Sequence, residues 1–122
     1  MHVHLSKSFT FEAAHFLPTF PEGHKCRRLH GHSFRVEIVV AGAIDSSKGY
    51  LMDYGEIKAA IKPIHDALDH RLLNDIDGLG NPTSELLASW MWERLVGALP
   101  MLSAVIVYET CTSRCEYRGP IE

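Results

Sequence analysis

The sequence has no long apolar run. The longest, such as Ser103 to Tyr108, is of strand length, far short of the roughly 18 residues that suggest a membrane span, so no bilayer crossing is expected. It also lacks an excess of basic charge: 12 Lys and Arg stand against 15 Asp and Glu, a net −3 with His neutral. Such a chain offers no broad positive field for counterion release, which disfavours a nucleic-acid partner. Cysteine is scarce, with only Cys26, Cys111 and Cys115. An odd number at uneven spacing fits reduced thiols better than a secreted disulfide framework. His2 and His4 leave no apolar stretch ahead of a small-residue cleavage site, so the start of the chain does not resemble a signal peptide, and a cytoplasmic location is expected. Low-complexity segments and repeats of solenoid period are missing too. With 122 residues, 46% apolar and 22% charged, the chain has an ordinary globular composition and room for one domain, expected to span 1–122.

Apolar patterning divides the chain into elements. From Val3 to His15 the odd positions are Val3, Leu5, Lys7, Phe9, Phe11, Ala13 and His15 and the even ones are polar up to Glu12, which predicts a half-buried strand interrupted at Lys7. A loop marked by Pro18, Pro21 and Gly23 leads to a second alternation, His30, His32, Phe34, Val36, Ile38 and Val40. Tyr50 to Met52 is a further short stretch able to pair. Asp53 with Glu56 forms a candidate capping box before a helix over about 54–68, in which Pro63 should kink or break the pattern. A second helix follows a cap at Asn81 or Thr83 and buries Leu86, Leu87, Trp90, Met91, Leu95 and Leu99 before Pro100. Residues 103–110 and 115–119 read as a closing hairpin. The expected architecture is α+β: an antiparallel four-stranded sheet in the order ββααββ along the chain, with both helices on one face.

His30 and His32, two apart on a strand, project from the face that continues as Phe34, Val36 and Ile38. His15 shares the parity of Phe9 and Phe11, so antiparallel pairing of the first two strands can bring three imidazoles together. Three histidines with an open fourth position form the ligand set of catalytic rather than structural zinc; taken singly, each is also compatible with a hydrogen-bonded core or rim histidine. Cys26 lies four residues before His30 among Lys25, Arg27 and Arg28. Cations and a nearby metal favour thiolate, which makes Cys26 a candidate proton acceptor or nucleophile, with a fourth zinc ligand or an inert thiol as alternatives. Asp69 and His70 are adjacent groups able to form a proton relay. Glu109 shares the parity of Val105 and Val107, a carboxylate on an apolar face, suited either to the N–H edge of a heterocycle or to a buried salt bridge. Cys111 and Cys115 read as a structural hairpin pair, and His2, His4, His24 and His65 as solvated.

These residues carry a resemblance. Phe11 to His15, Cys26 through His30-Gly31-His32, Leu68-Asp69-His70 and Val107 to Thr110 together resemble the 6-pyruvoyl-tetrahydropterin synthase superfamily over almost the whole chain. Three residues between the cysteine and His-Gly-His, where the pyruvoyl enzymes usually have five, resemble the 6-carboxy-tetrahydropterin synthases of queuosine biosynthesis; Asn81 to Glu85 and Tyr117-Arg118-Gly119 fit that branch. The resemblance implies a tunnelling fold, with sheets of several protomers joined into a barrel, commonly as a homohexamer of two trimers with active sites at subunit interfaces. It further implies Zn2+ held by His15, His30 and His32, a pterin ring anchored by Glu109, and proton transfer by Cys26 with Asp69 and His70. Lys25, Arg27 and Arg28 are expected at the triphosphate by charge alone. The implied substrate is 7,8-dihydroneopterin triphosphate. The implied activity is a carbon–carbon lyase releasing acetaldehyde and triphosphate, with the pyruvoyl activity or a non-catalytic zinc-stabilised pterin-binding module as alternatives.

Overall fold

The two alternating segments pair with each other along their full length. In the computed structural model, which describes residues 1–121, β1 (His2–His15) runs antiparallel to β2 (His30–Ala43), from His2 opposite Ala43 to His15 opposite His30. Phe11, Ala13 and His15 of β1 and Phe34, Val36, Ile38 and Val40 of β2 are buried, so the period-two pattern has become one face of a sheet. Helix α1 (Tyr54–Leu68) begins where the Asp53 carboxylate accepts the Gly55 N–H at 2.8 Å. Its buried residues Ile57, Ile61, Ile64 and Leu68 fall three and four apart.

α1 has the bounds expected from sequence, and Pro63 lies within it without the local break that the pattern allowed for. Its ring lies on the exposed side, and Ala59, whose carbonyl loses its i+4 donor, is exposed as well, so water can replace the missing bond.

After α1 a two-residue strand, β3 (Arg71–Leu72), pairs parallel with Ala13 and Ala14 of β1. The sheet is therefore five-stranded, in the order β3-β1-β2-β4-β5, rather than four-stranded and wholly antiparallel. Two residues are too few to show an alternation. β3 forms because the end of α1 is tied to β1, with the Glu12 N–H donating to Asp69 Oδ1 at 2.9 Å and the His70 N–H to the Glu12 carbonyl at 2.6 Å.

Helix α2 (Ser84–Leu95) is capped by Thr83, whose hydroxyl accepts the Leu86 N–H at 3.2 Å. It buries Leu87, Ala88, Trp90, Met91 and Leu95, and Leu99 just beyond it is buried too. Leu86, expected in the core, is 49% exposed: it sits about 100° around the helix from Leu87, off the stripe that 87, 91 and 95 define. β4 (Leu102–Thr110) then pairs with β2, Val36 opposite Val107, and β5 (Ser113–Tyr117) closes a hairpin on β4 two residues earlier than the pattern suggested. Tyr50 contributes only an isolated bridge to Asp45. Both helices cover the sheet face carrying Phe11, Phe34 and Val107, and with it they enclose one apolar core.

Beyond β5, Gly119 adopts φ +94°, and a Cβ there would lie 2.5 Å from the Trp92 ring, which itself packs edge-on against Tyr117. Gly119→Ala must both adopt left-handed backbone and displace a packed indole. We expect it to lower unfolding stability by about 1–3 kcal/mol in urea titration, whereas Gly23→Ala, at φ +87° with open space around it, should cost only the smaller backbone part.

Candidate metal centre and active-site pocket

The register of β1 and β2 sets the site. His15, the last residue of β1, faces His30, the first of β2, and His32 lies one pleat further along opposite Ala13. The imidazole Nε2 atoms of His15 and His30 are 3.0 Å apart. Glu109, one residue before the end of β4, brings Oε1 to 3.1 Å from His15 Nε2 and 3.4 Å from His32 Nε2. One ligand atom from each of His15, His30, His32 and Glu109 falls within 4.8 Å of the others. His15 is fully buried at the base of the cluster.

Hydrogen bonds behind the rings decide what they present to the centre. His15 Nδ1 lies 3.0 Å from the Pro82 carbonyl and His30 Nδ1 lies 2.7 Å from the Arg28 carbonyl. Carbonyl oxygens only accept, so both Nδ1 atoms carry hydrogen and both neutral rings direct bare Nε2 lone pairs inward. Two such lone pairs 3.0 Å apart, with a carboxylate oxygen beside them, repel one another unless a positive centre lies between. A shared proton satisfies one pair of acceptors; a metal ion held by the imidazoles relieves all of them and leaves the carboxylate beside it for a ligand. Three imidazoles that leave a fourth position open form a donor set that zinc accepts.

The protonation tendencies agree with that use. Burial holds the His32 imidazolium below its ordinary pKa, outweighing the attraction of Glu109, with His15 and His30 adding to the depression. The Glu109 carboxyl is held below its ordinary pKa, against the opposing effect of burial, first by a hydrogen bond from His15 when that ring carries the shared proton, then by the positive charge of His15 and His32 when protonated, and by the Ser84 hydroxyl, which donates to Oε2 at 3.3 Å. A metal held by neutral imidazoles takes the place of that proton.

Cys26 sits on a single 3₁₀ turn, Lys25–Arg27. The turn is held at both ends: the Cys26 N–H donates to His24 Nδ1 at 3.0 Å, and the Cys26 carbonyl accepts from Leu17 N–H at 2.9 Å. A cavity of about 470 Å³ is bordered by Cys26, Lys25, His30, His32, Ser84 and Glu109 over an apolar floor of Leu17 and Phe20. Cys26, two of the histidines and Glu109 therefore border one cavity. Arg27 turns away from it, its guanidinium donating to the Pro18 and Phe20 carbonyls at 2.7 and 3.0 Å, and Arg28 is exposed outside the cavity lining.

Asp69 and His70 pair with each other, Oδ2 to Nδ1 at 3.0 Å. They are not beside Cys26: His70 borders a second depression with Glu12, Ser33 and Arg71, and His32 is the residue that borders both. His70 is 78% exposed, with φ +58°, a conformation that non-glycine residues adopt only when their surroundings impose it.

Several contributors escaped the sequence reading. His24, taken as merely solvated, caps the cysteine turn. The Pro82 carbonyl orients His15, but backbone oxygens carry no sequence signature. Ser84 shows there only as the first residue after a helix cap, and nothing in the pattern ties it to Glu109.

The arrangement is that of an α+β domain with a histidine-rich cluster able to hold a metal, in a pocket that a cysteine also borders. Residues 4–120 match the family model described as 6-pyruvoyl tetrahydropterin synthase, and the chain belongs to that family. It is 48% identical over 120 residues to the 6-carboxy-5,6,7,8-tetrahydropterin synthase of a Synechocystis species, covering 93% of this chain and 92% of that protein. It is 35% identical to the Bacillus subtilis protein of the same name, over 93% and 84%, and 41% identical over 91 residues to a dihydroneopterin monophosphate aldolase of Pyrococcus furiosus, over 75% and 73%. The fold superposes on the 6-pyruvoyl tetrahydropterin synthase of Caenorhabditis elegans with a TM-score of 0.89 at 26% identity, covering 98% and 97% of the two chains.

The Asp69 carboxylate is held below its ordinary pKa of 3.8, first by the Glu12 N–H and next by His70. A depressed carboxylate contributes stability that is present above pH 3.8 and is lost as pH falls through the lower folded-state value. Asp69→Asn removes the charge and keeps one acceptor for Glu12. We expect urea midpoints of the variant to lie below those of the parent at pH 6, with the gap closing as the pH is lowered through 3.8 and beyond; a gap independent of pH would exclude this source of stability.

Proposed function

We propose that this chain is a zinc-dependent 6-carboxy-5,6,7,8-tetrahydropterin synthase, a carbon–carbon lyase acting on 7,8-dihydroneopterin triphosphate in queuosine biosynthesis. The observation that carries the reading is that Cys26 borders the same cavity as His30, His32 and Glu109; a purely structural metal site needs no thiol at its open side. The overall conversion balances with one water taken up: triphosphate leaves, two side-chain carbons depart as acetaldehyde, and the carbon retained on the ring becomes the carboxylate. His15, His30 and His32 hold zinc, which when bound acidifies side-chain hydroxyls and steadies negative charge on their oxygens.

The protein's own groups do the rest. Cys26 moves protons at the side-chain carbons from the cavity wall. Glu109 receives the N–H edge of the pterin, a charge-assisted match for a carboxylate kept ionised. Lys25, on the wall, meets the triphosphate first, with exposed Arg28 and the free edge of Arg27 beyond it. Asp69 and His70 set the protonation of the thiol; because His70 borders a different depression of the protomer, this role calls for a second protomer at the cavity. The outer edge of β1 beyond its short pairing with β3, and the outer edge of β5, have no strand partner among the described residues, and such edges favour pairing between copies. We therefore include the barrel-forming homohexamer, built of single 1–122 catalytic domains, in the proposal. The three cysteines are all unpaired, as suits a reducing cytoplasm.

Incubation of the purified protein with zinc and 7,8-dihydroneopterin triphosphate should release acetaldehyde together with triphosphate. A 6-pyruvoyl product, or turnover of the monophosphate alone, would assign a sister activity instead. Ala at His15, His30 or His32 should strip most of about one zinc per protomer, since two imidazoles are too few donors; retention of full zinc in two of these variants would refute the tripod. Cys26→Ala should keep zinc and pterin binding while turnover falls by about a hundredfold or more. Loss of metal in that variant would make Cys26 a ligand, and unchanged turnover would make it a bystander.

A further inference from the structure

We propose that Asn74 is a positioning residue of the metal centre, its carboxamide fixing His15 and the carbonyl that orients His15 as one unit. β1 ends at His15, and the backbone of the next residue, Phe16, has no strand beside it. Asn74 supplies the missing neighbour. Its Oδ1 accepts the Phe16 N–H at 3.0 Å, and its Nδ2 donates to the Phe16 carbonyl at 2.8 Å. The ladder in which Arg71 and Leu72 pair with Ala13 and Ala14 is thus continued past the ligand by a side chain that satisfies both backbone groups of Phe16.

The second hydrogen of the same amide reaches the Gly80 carbonyl at 3.4 Å. Gly80 belongs to the connection that runs from buried Leu79 to buried Pro82, and the Pro82 carbonyl lies 3.0 Å from His15 Nδ1. The contacts close a ring: His15 is bonded to Phe16, Phe16 is clamped by Asn74, Asn74 holds Gly80, and two residues on Pro82 returns to His15. An imidazole set in such a ring keeps its tautomer and its aim before metal arrives. Without the carboxamide, both the end of β1 and the carbonyl behind the ring are free to drift, and the geometry must be re-established each time metal binds.

The inference rests on the metal reading proposed above, so its test begins with the parent chain, whose zinc dissociation constant is measured by chelator competition. Asn74→Ala should bind zinc about 10–100-fold more weakly. Asn74→Asp, which retains the acceptor for Phe16 N–H but sets an anion against two carbonyls, should bind no better than Asn74→Ala. Ile64→Val, a core change remote from the centre, controls for general loss of stability and should stay within about twofold of the parent. Equal affinity in Asn74→Ala, or an equal loss in Ile64→Val, would overturn the positioning role. A parent that takes up no stoichiometric zinc would remove the metal reading and this inference with it.

Reciprocity supplies a measurement that needs no variant: if the clamp favours metal, metal must favour the clamp. Zinc should slow hydrogen exchange of the Phe16 amide, whose acceptor is the Asn74 side chain, by about tenfold or more, and leave the Gly55 amide at the surface cap on Asp53 unchanged. Exchange at Phe16 indifferent to zinc would overturn the proposal.

Discussion

Four hydrogen-bond acceptors point at one spot, and the rest of the site follows from that mutual repulsion. The carbonyls of Pro82 and Arg28 each claim an imidazole hydrogen, leaving two nitrogen lone pairs face to face at 3.0 Å with a carboxylate beside them. In water these groups would rotate apart. They stay because His15 is buried at the end of a strand whose pairing is fixed over fourteen residues and because the Phe34 ring meets those of His15 and His32 edge-on within ordinary aromatic contact. The apolar sheet face supplies the rigidity, and the polar cluster at its end is held in an arrangement that a proton or a cation relieves.

Register is the means by which that rigidity reaches the chemistry. A slip of one residue between β1 and β2 would send His30 and His32 to the opposite face. The same slip would expose Phe34, Val36 and Ile38, all fully buried, at a cost of about 1.5–3 kcal/mol for each large side chain. Core packing thereby selects the one alignment that gathers the ligands. The open face of the sheet is built differently, from ion pairs such as Arg35 with Glu37 and Arg114 with Glu116, which are exposed enough to contribute little each.

How much of this could be read in the sequence depended on whether a residue's role shows in its period. The strands β1, β2 and β4 and both helices were legible because they bury one face and repeat at two or at about 3.6 residues. The convergence of His15, His30 and His32 followed from parity alone, and Glu109 was conspicuous as a charge at an apolar position. β3 was not legible, because two residues cannot display a period; Leu86 was misplaced, because a leucine beside a buried stripe has the same chemistry as one within it. Pro63 misled in the other direction, since a helix tolerates proline where water can reach the abandoned carbonyl. Least legible were the contacts that orient the ligands: Pro82 acts through its backbone, and Asn74 through a side chain that mimics one. The separate location of His70 and Cys26 likewise depends on tertiary placement, which no local spacing encodes.

The centre draws on residues 15, 30, 32 and 109, so its parts are contributed by the first strand and by almost the last. A short chelating loop can capture metal while the rest of a chain is still disordered, but here the His-Gly-His segment alone offers two donors. The other two arrive only when β1 has docked and β4 has crossed back over both helices to pair with β2. Such long-range closure is entropically slow, so the complete cluster exists only once β4 has paired with β2. During synthesis, the cluster would lack its carboxylate until β4 had emerged.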